Sequence, residues 1–208
     1  MKQTRLDQLA DGIFSIVMTL LVLEIRVPTL TGDIGNSAVW YSLISLMPQL
    51  LSYSLSFLLL FTYWRGHHSI ASVLAQNIDS KLTTINAFFF LLVGLVPFST
   101  LLLGKYFFTQ MAITIYGLNI ICIGLLLYWM RQYIIASPTI RNMEMDGVQL
   151  QHSTLRILVP VYTSCIAILV SFFNVYVSMI LFMLVILFNL SGHSTSILTK
   201  MFPKIVST

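Results

Sequence analysis

The sequence predicts an all-α integral membrane protein with six transmembrane helices, and three observations carry that prediction. Of the 208 residues, 57% are hydrophobic and only 9% charged, against about a quarter charged in an ordinary soluble domain. Apolar stretches long enough to cross a bilayer recur along the chain. Its Lys and Arg residues fall almost entirely on one side of those stretches. What is left between them is too short for a separate soluble catalytic domain, so residues 1–208 read as a single membrane domain that acts within the bilayer.

The first helix is expected over residues 5–28, and it is unusual. Only residues 13–23 are free of charge before Glu24 and Arg26, and Pro28 is expected to stop the helix. Lys2 and Arg5 resemble the basic region of a signal peptide, but Asp7 and Asp11 break that pattern and no small-x-small cleavage site follows. The segment therefore reads as a retained helix that protein or water shields from lipid. No charge lies between Asp33 and Arg65, which places a second helix over 38–64. The charge-free runs 82–104 and 111–130, separated by the polar and aromatic turn 105–110, give the third and fourth. Residues 157–192 carry no charge at all, a length of about 54 Å against a hydrocarbon core of about 30 Å. A hairpin at Phe173-Asn174 divides them into helices over 157–173 and 175–193. The intervening stretch 131–156 reads as a disordered connection.

Six spans put both termini on one side. Lys2, Arg5, Arg65, Lys81, Arg131, Arg141, Arg156, Lys200 and Lys204 fall on that side, with Arg26 and Lys105 opposite, which makes it cytoplasmic. The net charge of +4 is thus a topology signal. No basic run or face suggests nucleic acid. Cys122 and Cys165 sit inside apolar stretches and read as small buried hydrophobes.

At 100° per residue, with Ile16 at zero, Gly12, Thr19, Leu20 and Leu23 all fall within about 60° of it, forming one narrow stripe. Asp11 projects about 140° away, toward its own bundle, and Glu24 and Arg26 flank the stripe at its outer end. Ordinary helix packing explains an Ile/Leu stripe as well as a pore does. Around a symmetry axis the same stripe would stack apolar rings with one hydroxyl ring at Thr19, a constriction that gates by dewetting. His67 and His68 follow the second helix and Asn86 opens the third, at the membrane depth of Asp11. A network of Arg5, Asp11, His67 or His68 and Asn86 would satisfy polar groups that lipid cannot. A headgroup-solvated His pair is the alternative. There is no carbonyl filter of the TVGYG type, no arginine-repeat voltage sensor, no HExxH, no G-x-S-x-G and no Walker loop, so no enzyme is expected.

The segment 5–28, RLDQLADGIFSIVMTLLVLEIRVP, strongly resembles the first helix of the transmembrane protein 175 family of potassium channels, whose hallmark is R-x-x-x-F-S-D followed by an Ile/Thr/Leu stripe and L-E-I-R-V-P. The likeness continues through Trp64-Arg65-Gly66-His67-His68, Asn86, the VPFSTLLLG run at 96–104 and Tyr116-Gly117-Leu118-Asn119. It implies a six-helix subunit in the plasma membrane of a prokaryote, assembled as a homo-tetramer whose first helices line a cation pore without a filter loop. It also implies Ile16 as the constriction, Thr19 as the layer where K⁺ is transiently held, and Leu20 and Leu23 as further pore-facing residues. Arg5 and Asp11 would brace the first helix against His67 or His68 and Asn86. The motif here reads R-x-x-x-L-A-D, with Leu9 and Ala10 in place of Phe and Ser. The expected function is a passive, potassium-preferring channel with no cofactor other than the permeant ion. A small proton-coupled or solute transporter using Asp11, His67 and Glu24 as relay groups is the alternative, and a structural membrane subunit a third.

Overall fold

A computed structural model describes residues 3–30, 35–142 and 147–190. Among these the secondary structure is helical apart from one isolated bridge: α1 (Gln3–Leu23), α2 (Asn36–Ser45), α3 (Met47–His68), a π turn (Ser69–Leu74), α4 (Ser80–Gly94), α5 (Val96–Lys105), α6 (Gln110–Ala136), α7 (Gly147–Ser171) and α8 (Val175–Leu190). Gln3–Leu23, Ser80–Lys105 and Gln110–Ala136 are each long and apolar enough to cross a membrane, and α2 with α3 makes a fourth such unit bent by 45°. The apolar segments Ile157–Ser171 and Val175–Leu184 are shorter.

The expected second and third helices are each broken in two, for one reason. Pro48 and Pro97 lack an amide hydrogen, and their rings crowd the carbonyl four residues back. The turn before each proline tightens, so Leu46 N–H bonds Leu43 O and Leu95 N–H bonds Leu92 O, both at 3.1 Å. Pro28 acts sooner than expected. Its ring would crowd the carbonyl of Glu24, and α1 ends at Leu23 rather than at residue 28.

Most of the described residues in the stretch 131–156, expected to be a disordered connection, are helical. Helix α6 runs on to Ala136, and α7 begins at Gly147, ten residues before the expected start. Between them, residues 137–142 lie along the α3–α4 connection, with Ala75 and Arg141 forming an antiparallel bridge. Gly124 lets α6 and α7 approach: a Cβ there would lie 2.3 Å from Val161 Cγ2. The α7–α8 turn falls at Phe173-Asn174 as expected, and Asn174 Oδ1 accepts the N–H groups of Tyr176 and Val177, capping α8. Cys122 and Cys165 are exposed on the helix surface, not buried. Lys2, Lys200, Lys204 and residues 191–193 lie outside the described residues.

At the start of α4, Asp79 is the N-cap, accepting Leu82 N–H at 2.7 Å and the Tyr133 hydroxyl of α6. Partial desolvation pushes its carboxyl pKa up. The Tyr133 and Leu82 hydrogen bonds and nearby Lys81 outweigh that, so its pKa falls below the ordinary value. A depressed carboxyl pKa contributes stability that is present above the unfolded pKa and lost as pH falls through the folded one. Asp79→Ala is expected to cost about 1 kcal/mol at neutral pH, the usual worth of an N-cap. Thermal unfolding in detergent checks this, and the gap to wild type should narrow once the pH drops below about 4.

Candidate functional site: the uncovered face of the first helix

Helix α1 has two faces of opposite fate. Leu6, Ala10, Phe14, Val17 and Leu21, spaced three or four residues apart, are buried against α3, α4 and α5. Phe14 is the anchor, 1% exposed, with its ring 6.0 Å from Phe89 and 6.4 Å from His67. The other face is uncovered by the subunit. Ile16 is 60% exposed, Leu20 43% and Leu23 69%, with Gly12 and Thr19 exposed between them. The five stripe residues inferred from periodicity therefore share one outward face, and no side chain of the same subunit covers it.

Thr19 makes its hydrogen bonds within its own helix. Its hydroxyl donates back to Ser15 O at 3.0 Å and Ile16 O at 2.8 Å, a shared bond of the kind threonine makes mid-helix. The Thr19 side chain is otherwise exposed. At the outer end Glu24 is half-buried and Arg26 exposed, just past the end of α1. Glu24 borders a small cavity of about 10 Å³ shared with Gln49, Ser52 and Thr100.

The polar groups expected to brace α1 separate into two places. His67 is buried and pairs with Asn86 Oδ1 at 2.7 Å, stacked on Phe89 with centroids 5.2 Å apart. Asp11 lies outside that core. It is exposed at the edge of the bundle, where Trp64 Nε1 of α3 donates to its Oδ1 at 2.8 Å. Trp64 in turn stacks on His68. Arg5 is exposed six residues earlier on the helix. Trp64 is the residue that sequence reasoning passed over: it stood inside a recognised motif, yet an indole N–H is a donor only and must find an acceptor when it is partly buried.

Because Asp11 is exposed, the large penalty for orphaning a buried charge does not apply within the subunit. What is at stake is one hydrogen bond to a carboxylate, worth about 1.5–3 kcal/mol. Trp64→Phe is expected to destabilise the protein by that order and lower its yield in the membrane, which thermal unfolding in detergent and expression level both read. Among the described residues no group of His, Cys, Asp or Glu could hold a metal ion.

Among the described residues the protein is helical, and it leaves one face of its amino-terminal helix bare of its own side chains. Comparison with known proteins shows what the chain is similar to. The family model for the endosomal/lysosomal potassium channel TMEM175 matches residues 5–97, which hold most of α1, the motif 64–68 at the end of α3, and Asn86. A potassium channel from a Chryseobacterium species is 27% identical over 190 residues, covering 90% of this chain and 92% of that protein. One from Chamaesiphon minutus is 38% identical over 104 residues, 49% of each chain. The crystal structure of a lysosomal potassium-selective channel TMEM175 homolog from Chamaesiphon minutus matches with a TM-score of 0.78 and 26% identity, over 90% of this chain and 95% of that one. The chain is thus similar to potassium channels in sequence and to a TMEM175 homolog in fold.

Proposed function

We propose that the chain forms a passive, potassium-preferring cation channel in which α1 of each subunit lines a shared pore. The observation that carries this reading is the bare outward row Gly12, Ile16, Thr19 and Leu23 on a helix whose opposite row is fully packed, in a chain that shares nearly its whole length with a potassium-selective channel. In this reading Ile16 forms the constriction, Thr19 the layer that meets a partly dehydrated K⁺, and Leu20 and Leu23 the apolar wall beyond. Glu24 and Arg26 flank the outer mouth.

The subunit has six spans when α2–α3 is counted as one bent unit and α4–α5 as one span, with both termini cytoplasmic in a prokaryotic plasma membrane. Four subunits surround the axis, a closed symmetry that covers four otherwise bare faces. Asp11 and Trp64 hold α1 against α3, and Arg5, His67, His68 and Asn86 stand at the same end of the bundle.

A proton relay through Asp11, His67 and Glu24 has no comparable support. His67 is buried on Asn86, Asp11 is held by Trp64, and Glu24 lies thirteen residues from Asp11, about 20 Å along a helix. The relatives found are potassium channels. Ion replacement on purified protein in planar bilayers tests the proposal. Current proportional to driving force, reversing near the K⁺ equilibrium potential, is expected. A saturating flux driven by a proton gradient would replace the channel with a carrier.

A further inference from the structure

At the end of the bundle where α1 begins, a backbone donor and the carbonyl it would reach in a longer π turn are each paired elsewhere. After α3 the backbone passes into the π turn Ser69–Leu74, in which N–H groups bond the carbonyl five residues back. One more such turn would take Gln76 N–H to the carbonyl of Ala71. It does not form. Ala75 is extended, with φ −94° and ψ 130°, and Gln76 N–H bonds Ile140 O at 2.7 Å in the α6–α7 connection. The carbonyl thus left over at Ala71 is taken by the side-chain amide of Gln3, near the start of α1, whose Nε2 donates to Ala71 O at 2.5 Å and Ala75 O at 2.7 Å.

Other bonds fasten the two connections together. Asn142 N–H bonds Leu74 O at 2.8 Å, Asn77 Nδ2 donates to Thr139 O at 3.1 Å, and the Tyr133 hydroxyl bonds Asp79. Three segments distant in sequence therefore meet at one small junction.

We propose that this junction is a gating coupler: Gln3 links the α6–α7 connection to α1, and the choice of Gln76 N–H between Ile140 O and Ala71 O is its two-state element. With Gln3 in place, Ala71 O is satisfied and Gln76 stays in the bridge. When α1 shifts and withdraws Gln3, Ala71 O is orphaned, Gln76 N–H turns back to lengthen the π turn, and the α6–α7 connection is released. By linkage, pulling on that connection biases the position of α1 by the same free energy. π turns occur disproportionately at functional sites because they cost stability. The inference rests on the reading of α1 as the pore helix only for its consequence on current; the junction itself can be tested without any current.

Two variants of the full-length protein in lipid nanodiscs and bilayers test it. Gln3→Met removes the donor with little change of size, and Gln3→Lys restores donors for both carbonyls. Single-residue amide exchange should be about tenfold faster at Asn142, whose bond to Leu74 O is lost on release, in Gln3→Met and close to wild type in Gln3→Lys, while Gln76 N–H, bonded in either state, stays protected. Open probability should change severalfold in Gln3→Met, with unit conductance and reversal potential unchanged, and return in Gln3→Lys. Unchanged exchange at Asn142 would overturn the coupling itself. Faster exchange with unaltered open probability would reduce the junction to a structural fastener and overturn its gating role. A change in unit conductance would put Gln3 in the ion path instead. Failure of α1 to line the pore would be seen separately, in thiol block along that helix.

Discussion

Replacing Ile16 by Ala or Asn is expected to raise potassium current more than any other single change in the protein. Ile16 is the most exposed large side chain in the middle of α1, and nothing in its own subunit touches the outward face it occupies. Copies of it around an axis form an apolar ring, and water leaves such a ring when it is narrow and dry. Alanine widens the ring and asparagine wets it, so the two act through different terms with the same sign. Each ~1.4 kcal/mol taken from the barrier raises the passage rate about tenfold, and removing a dewetted gap is an effect of that order or larger. Single-channel recording in symmetrical K⁺ measures it. Normal expression with unaltered conductance in both variants would move the constriction away from Ile16.

Thr19→Val should instead act on selectivity. The substitution keeps the branched shape and deletes the oxygen. Because the hydroxyl proton already goes to Ser15 O and Ile16 O, the helix loses only a weak local bond, and stability should change little. The oxygen facing away from the subunit is what a K⁺ shedding part of its hydration shell would lose. Under bi-ionic K⁺/Na⁺ conditions the reversal potential should move toward zero, by about 59 mV for each tenfold loss of preference. A reversal potential identical to wild type would mean that the Thr19 hydroxyl serves only its own backbone.

Much of α1 was legible because helical periodicity is a one-dimensional signal. The row at Gly12, Ile16, Thr19, Leu20 and Leu23 follows from spacing alone, and the exposure of each residue agrees with it. The helix breaks were written in the sequence at Pro48 and Pro97, but a search for charge-free runs passes over them. Nor is proline sufficient by itself: α7 continues through Pro160. The early start of α7 was hidden because residues 147–156 are polar, and a polar helix outside the bilayer has no apolar run to mark it.

Tertiary partners were the least legible part. Asp11 was expected to point into its own bundle, and it lies instead exposed at the bundle's edge, where it accepts from Trp64. An indole donor and a carboxylate 53 positions apart carry no joint signature in one sequence. Gln3 was passed over for the same reason. Its role depends on a carbonyl at Ala71 whose own helical partner has gone elsewhere, and that is visible only in three dimensions.

The central claim is that the uncovered face of α1 is the ion path, and thiol accessibility along that helix tests it most directly. Cys122 and Cys165 are both exposed and must first be replaced by serine. Single cysteines are then placed at Gly12, Ile16, Thr19 and Leu23 on the bare face, and at Ala10, Phe14, Val17 and Leu21 on the packed one. A small thiol reagent added to the bath should block potassium current through the first set and leave the second set conducting. Block confined to the packed set, or absent from both in channels that still conduct, would contradict the assignment of α1 as the pore helix.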